Sequence, residues 1–258
     1  MGTTIIIGLV AFGASMLTFF SGFGLGTLLT PVFLLFFPVE IAIAMTAVVH
    51  FLNNVFKFGL TYKDIDWKIA LLFSSTAVVA SFIGAWVLTL LSDGTIIYSL
   101  HSFGEVREVS YLKFMLAILM VFFVVIELHP RLSKITFSKS SIPIGGLLSG
   151  FFGGLAGFQG VLRSMFLLKS GLTKQGYIAT GIFIACVIDI ARLTTYYKSF
   201  DLSKILDHLD VLSVGVICAF AGAFIGAKLI EKVTLLSIHY FVSFLLVLMS
   251  IALFLGLL

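Results

Sequence analysis

Arg163 falls inside an apolar run, Gly153-Gly154-Leu155-Ala156-Gly157-Phe158-Gln159-Gly160-Val161-Leu162-Arg163-Ser164. Placing an arginine at the centre of a membrane helix costs at least about 2.5–3.5 kcal/mol. The glycines before it predict a broken helix, which puts Arg163 in the first turn after the restart. Backbone dipoles there carry about half a positive charge, the wrong sign for a cation. Two penalties at one position call for a negative partner. A bound anion would supply it, with Asp189 or a phospholipid headgroup as the alternatives.

A break of the same kind occurs earlier, at Ser21-Gly22-Phe23-Gly24-Leu25-Gly26-Thr27-Leu28-Leu29-Thr30-Pro31. Each helical glycine costs about 1 kcal/mol relative to alanine, so clustered glycines stop a helix. Irregular backbone survives in a membrane only if buried in protein or lining a wet cavity. The restarting helix exposes N–H groups without partners, and glycine lets a ligand approach them closely. Gly24, Gly26, Thr27 and Thr30 in one break, with Gly157, Gln159 and Gly160 in the other, therefore predict two anion-binding nests. Pro31 fits a first turn, where its missing N–H is not needed.

Thr46, His50, Asn53, Asn54 and Lys57 form a polar stripe; the last four are spaced three, four and seven apart, on one helix face. The stripe reads as cavity lining, with Asn53 assigned to an interhelical hydrogen bond worth about 0.6 kcal/mol. His50, with an unperturbed pKa of about 6.5, could carry a coupling proton or sit buried and neutral. Asp189 and Arg192, three apart, read as an intrahelical ion pair. Lys57 would stand in for Arg192 on the opposite repeat. Glu40 and Glu127 read as charges near segment ends, without a role.

The elements that must position these groups are membrane helices. The 258 residues are 60% hydrophobic and 11% charged, where a soluble domain is about 45–50% apolar and about 25% charged. The expected fold is an all-α polytopic membrane protein. The net charge of +4 comes from scattered bases, which suit lipid headgroups and not nucleic acid. Met1-Gly2-Thr3-Thr4 lacks the positive region of a signal peptide, so the N-terminal run is expected to stay as structure. Cys186 and Cys218 read as buried small side chains. HExxH, Walker and nucleophile-elbow motifs are absent and intramembrane carboxylates do not pair, so neither an enzyme nor a metal site or cofactor is expected.

Eight apolar segments stand at 3–37, 41–60, 68–91, 112–128, 142–168, 174–195, 210–230 and 235–257. The first is too long for one straight crossing and too short for two. Polar interruptions fall at 92–110, with Glu105, Arg107 and Glu108, and at 131–141. The halves match in order: Asn54-x-x-Lys57 with Asp189-x-x-Arg192, Tyr62-Lys63-x-x-Asp66 with Tyr197-Lys198-x-x-Asp201, and Phe82-Ile83-Gly84-Ala85 with Phe224-Ile225-Gly226-Ala227. This predicts two homologous repeats, 1–128 and 142–258, joined by a loop at 129–141. If all eight segments cross, the loop bases divide seven against six. If the two broken segments are re-entrant, they divide nine against four, with Lys63, Lys68, Arg131, Lys134, Lys139, Lys169, Lys174, Lys228 and Lys232 together. The second division suits the positive-inside rule. It makes the repeats inverted, with the two broken helices meeting near the midplane.

These motifs resemble those of the sulfite exporter TauE/SafE family of membrane transporters. The likeness covers essentially the whole chain. It is strongest at Gly22–Pro31, at Thr46–Lys57 with its His-x-x-Asn-Asn, and at Gly153–Leu168; Asp189-x-x-Arg192 is similar to one branch. Arg163-Ser164 departs from the usual small residue and proline. The resemblance implies a multi-pass permease of the bacterial inner (plasma) membrane that moves sulfite, sulfonates, sulfoacetate or thiosulfate. Alternating access around a midplane site is the expected mechanism. Export of an anion would run down an inside-negative potential at about 2.3 kcal/mol per charge per 100 mV, whereas uptake would need protons or sodium. A passive anion channel, or a non-transporting intramembrane enzyme or assembly partner, remains as an alternative. The small-residue pair Gly222 and Gly226 would serve either a homodimer or packing within the chain.

Overall fold

A computed structural model describes residues 1–21, 24–102, 105–132, 134–200, 202–228 and 235–258. The helices are α1 (Gly2–Ser21), α2 (Leu25–Leu34), α3 (Val39–Thr61), α4 (Trp67–Leu91), α5 (Tyr111–Leu128) and α6 (Ile142–Ala156). They continue as α7 (Gly160–Leu167), α8 (Lys174–Ser199), α9 (Leu202–Leu206), α10 (Leu209–Lys228) and α11 (Leu235–Phe254). Among the described residues, six helices are long and apolar enough to cross a membrane: α1, α3, α4, α5, α8 and α10. At about 1.5 Å per residue, the ten residues of α2 and the eight of α7 reach only part of the way. Gly22 and Phe23 of the first break, Asp201 of the internal match and Lys232 lie outside the described residues.

The 92–110 interruption, read from sequence as a polar loop, contains a two-stranded antiparallel hairpin, β1 (Ile96–Ser102) and β2 (Glu105–Ser110). Ile96, Ile97, Tyr98, Val106 and Val109 supply the β-branched and aromatic side chains a strand favours. The charges of Glu105, Arg107 and Glu108 hid that pattern. The hairpin is tied to the end of α11, where the Tyr98 hydroxyl donates to the Phe254 carbonyl at 2.6 Å.

Packing crosses between the halves. α1 lies along α10 and α6 along α4, while α3 packs on α8 and α5 on α11. Glycine permits the two crossed contacts. A β-carbon on Gly84 would collide with the Phe151 carbonyl, and one on Gly154 with the Ser81 carbonyl, joining α4 to α6. On the other side, Gly222 meets the Phe12 carbonyl, and a β-carbon on Gly226 would stand 2.8 Å from the Met16 carbonyl. Gly84 and Gly226, which correspond in the sequence match, thus each seat a broken helix of the other half. The Gly222–Gly226 face is consumed by α1 and offers no surface to a second copy.

α3 and α8 run antiparallel through the centre, with His50 against Asp189 and Phe58 against Phe183. The Asp66 N–H donates to Thr180 Oγ1 at 3.0 Å, so the loop bearing Lys63 and the start of α8 share one end. At that level the chain also returns on itself: the Phe137 N–H, ahead of α6, donates to the Met165 carbonyl of α7 at 3.0 Å. The outer faces are apolar and exposed, as Leu71, Val79, Phe82, Ile83, Trp86 and Leu90 on α4 illustrate. Such a contiguous surface suits lipid.

Candidate functional site

The polar stripe of α3 faces inward. Thr46, His50, Asn53, Asn54 and Lys57 are all buried, with Lys57 only 3% exposed. Its nearest neighbours come from α1: the Lys57 ammonium donates to the Ser15 carbonyl at 3.3 Å and lies 5.3 Å from the centre of the Phe19 ring. The Ser15 hydroxyl bonds the Asn53 side chain at 2.9 Å. Asn53 therefore ties helices together, while Asn54 and His50 turn toward α8.

Asp189 is the hub. Its Oδ1 accepts from Arg192 Nε at 2.9 Å and from Gln159 Nε2 at 3.2 Å. Its Oδ2 lies 2.6 Å from His50 Nδ1 and accepts from Asn54 Nδ2 at 3.3 Å. An ionised carboxylate only accepts, so His50 Nδ1 carries the proton of that short bond. One fully buried carboxylate thus gathers α3, α8 and the second break. Arg192 closes an i,i+3 ion pair through Nη2 as well, at 2.8 Å.

The breaks are built differently. Gly157 ends α6 in the left-handed conformation at φ +82°, where a side chain is strained. A β-carbon there would also stand 2.7 Å from Arg192 Nη1. Gln159, fully buried, starts α7: its backbone carbonyl accepts from the Ser149 hydroxyl and its Oε1 from Arg163 Nη1 at 3.4 Å. Gly24 starts α2 in an extended conformation. A β-carbon on it would meet His50 Nε2 at 3.1 Å, so the imidazole lies against bare backbone.

Between these parts lies a cavity of ≈ 30 Å³, room for one or two waters. Its walls include Thr18, Gly24, His50, Asn54, Lys57, Arg163 and Tyr177. Two cations line it, and among the described residues neither Lys57 nor Arg163 has a carboxylate within 4.0 Å. The Thr18 hydroxyl, also on the wall, is buried with no hydrogen-bond partner among the described residues.

The family model of the sulfite exporters TauE/SafE matches residues 7–253. The chain belongs to that family. No curated protein and no solved structure matches it. TauE/SafE proteins are membrane transporters of the sulfite-exporter type, and the apolar helices make this member a multi-pass membrane protein.

Within this TauE/SafE chain, the residues singled out from sequence divide into three groups. Gly24, His50, Asn54, Lys57 and Arg163 line the cavity. Gln159, Asp189 and Arg192 form the hydrogen-bonded support behind His50, and Gly157 gives Arg192 its space. Gly26 and Thr27 in the first turn of α2, Thr30 in its second and Gly160 at the start of α7 are buried but do not line the cavity wall. Asp189 does not neutralise Arg163, having been taken by Arg192 and His50. Glu127, read as an interface charge, is 7% exposed, and among the described residues neither of its carboxylate oxygens has a hydrogen-bond partner. Sequence reasoning missed Thr18, Tyr177 and Gly181, which also line the cavity. A lone threonine on an apolar helix gives no signal, and Tyr177 belongs to none of the motifs or internal matches in the sequence.

Proposed function

We propose that this chain carries a small sulfur-containing oxyanion, such as sulfite, a sulfonate, sulfoacetate or thiosulfate, across the cell inner membrane by alternating access. The anion binds in the cavity against Arg163 and Lys57, with Asn54, His50 and the backbone of the first break around it. The observation that carries this reading is the pair of buried cations with no carboxylate within 4.0 Å among the described residues. Arginine has five N–H donors in a planar fork suited to several oxygens at once, and Arg163 spends one on Gln159. Leaving such charge uncompensated in a low-dielectric interior is costly, and an oxyanion would remove that cost. The support behind Asp189 fixes the cavity wall without using up either cation.

The proposal takes the two breaks as corresponding parts of inverted repeats, 1–128 and 142–258, linked by 129–141. The crossed packing of α1 on α10 and α6 on α4 favours this, because exchanging the halves turns one contact into the other. The closeness of the chain before α6 to the end of α7 favours re-entrant segments. Transport then requires one bundle to rock against the other, which would also widen a cavity that now holds only one or two waters. Chemistry on the substrate is not part of the proposal.

Equilibrium binding of sulfite, sulfoacetate and sulfate to the purified protein tests it. Charge-assisted hydrogen bonds are worth about 1.5–3 kcal/mol, so Arg163→Ala should weaken the preferred anion about 10- to 100-fold. Unchanged affinity for all three anions would remove Arg163 from the site. In proteoliposomes the flux should saturate and show exchange, which a passive channel would not.

A further inference from the structure

We propose that His50, held by Asp189, takes up a proton when the anion binds, so that the anion site is also the site of a coupled proton. This rests on the reading of the cavity as the anion site and adds a coupling ion to it. The geometry is specific. Asp189 has both oxygens occupied by Arg192, Gln159, Asn54 and His50, so it orients the imidazole and keeps its own charge. His50 Nδ1 already holds a proton in the 2.6 Å bond. The remaining nitrogen, Nε2, lies toward Gly24 on the cavity wall and accepts a long bond from Asn54 Nδ2 at 3.4 Å, which a proton taken up there would displace. Its lone pair is the one place where the pair can accept a further proton, and that proton comes from water on the open side.

The charges facing His50 make this uptake conditional. Arg192 and Asp189 on α8 lie behind it, Arg163 stands on α7, Lys57 on its own helix, and Tyr177 on the cavity wall from α8. Neither α2 nor the cavity-lining residues of α1, Thr18 and Phe19, bring a charge. In the empty cavity Arg163 and Lys57 repel an imidazolium. A bound anion offsets them, and Asp189 then stabilises the charged ring, as a carboxylate behind a histidine does in hydrolytic triads. A monoanion that moves with one proton carries no net charge, so an inside-negative potential ceases to oppose its entry. Anion and proton help each other equally, because coupling between two ligands is reciprocal.

Calorimetric titration of the purified full chain with thiosulfate and with sulfite, in buffers of differing ionisation enthalpy, counts the protons taken up per anion. Thiosulfate is the decisive probe because it does not itself hold a proton near neutrality, and the proton balance of sulfite is subtracted. The wild type should take up a fraction of a proton per anion over one pH interval, and its affinity should rise by up to about tenfold per pH unit as the pH falls through that interval. His50→Gln should bind several-fold more weakly, with neither proton uptake nor a pH slope. Anion binding by the wild type without proton uptake at any pH would overturn the proposal and leave the anion site standing. Uptake unchanged in His50→Gln would overturn it equally. Failure of the wild type to bind either anion would overturn both readings. If His50→Gln does not fold, thiosulfate influx into wild-type proteoliposomes at clamped potential decides: acidification of the lumen supports coupling, and a constant lumenal pH refutes it.

Discussion

Gly26, in the first turn of α2, faces the carbonyl of Gly157 at the end of α6: a β-carbon on Gly26 would stand 3.7 Å from that oxygen. The two breaks thus approach each other although they come from opposite halves of the chain. The same position lies 3.7 Å from His50 Cδ2 and from Thr46 Cγ2. A methyl group fits at ordinary contact distance there, and nothing larger does. Gly26→Ala should bind anions like the wild type, whereas Gly26→Val should wedge the breaks apart. Overpacking of this kind costs about 1–3 kcal/mol, read as a lowered melting temperature in detergent together with lost affinity.

Gly157→Ala should be the more damaging of the two alanine substitutions. It forces a side chain onto φ +82° and pushes it against Arg192 Nη1, which would shift the partner of Asp189. Strained backbone costs of order 1–3 kcal/mol. Thermal melts of Gly26→Ala and Gly157→Ala side by side check the order.

Asp189→Asn removes the carboxylate and leaves the buried Arg192 without its anionic partner. Breaking a buried pair in this way costs about 3–5 kcal/mol, so expression and melting temperature should fall sharply. Asp189→Asn combined with Arg192→Gln should recover part of the loss, since the orphaned charge is then gone. A double mutant no more stable than Asp189→Asn alone would refute the compensation.

Gly222→Ala and Gly13→Ala form a matched pair on α10 and α1. The first would drive a methyl group into the Phe12 carbonyl, while a β-carbon on Gly13 has nothing within 4 Å among the described residues. Gly222→Ala should destabilise by about 1–3 kcal/mol. Gly13→Ala should stabilise slightly, by up to about 1 kcal/mol from helix propensity. Unfolding followed by helical circular dichroism separates them.

Glu127→Met should raise the melting temperature. The carboxylate is buried and, among the described residues, unpartnered, and a buried polar group without a hydrogen bond costs about 1–3 kcal/mol. Methionine keeps the length and fills the space. A lower melting temperature would mean that the carboxylate is satisfied when the chain sits in a bilayer.

Much of this was legible in the sequence because membranes make polar residues informative. An arginine, an aspartate and a His-x-x-Asn-Asn stripe in apolar helices had few places to go, and His50, Asn54, Lys57 and Arg163 do share one cavity. What spacing could not convey was the division of partners. The i,i+3 spacing already paired Asp189 with Arg192, but it could not show that His50, Asn54 and Gln159 converge on the same carboxylate while Arg163 lines the cavity. Thr27 and Thr30 carry hydroxyls at the right place in the chain, but the helical phase of α2 turns them into the protein. The hairpin at 96–110 was hidden because its charges interrupt an alternating pattern too short to stand out.

The crossed seating of α1 on α10 also sets a timetable for biogenesis. Phe12 leaves the ribosome some 210 residues ahead of Gly222, against which it comes to rest. At about 5–20 residues per second, the opening helix waits roughly 10–40 s in the bilayer with its docking face uncovered. Until α10 is made, that face of α1 has only lipid or other protein to cover it.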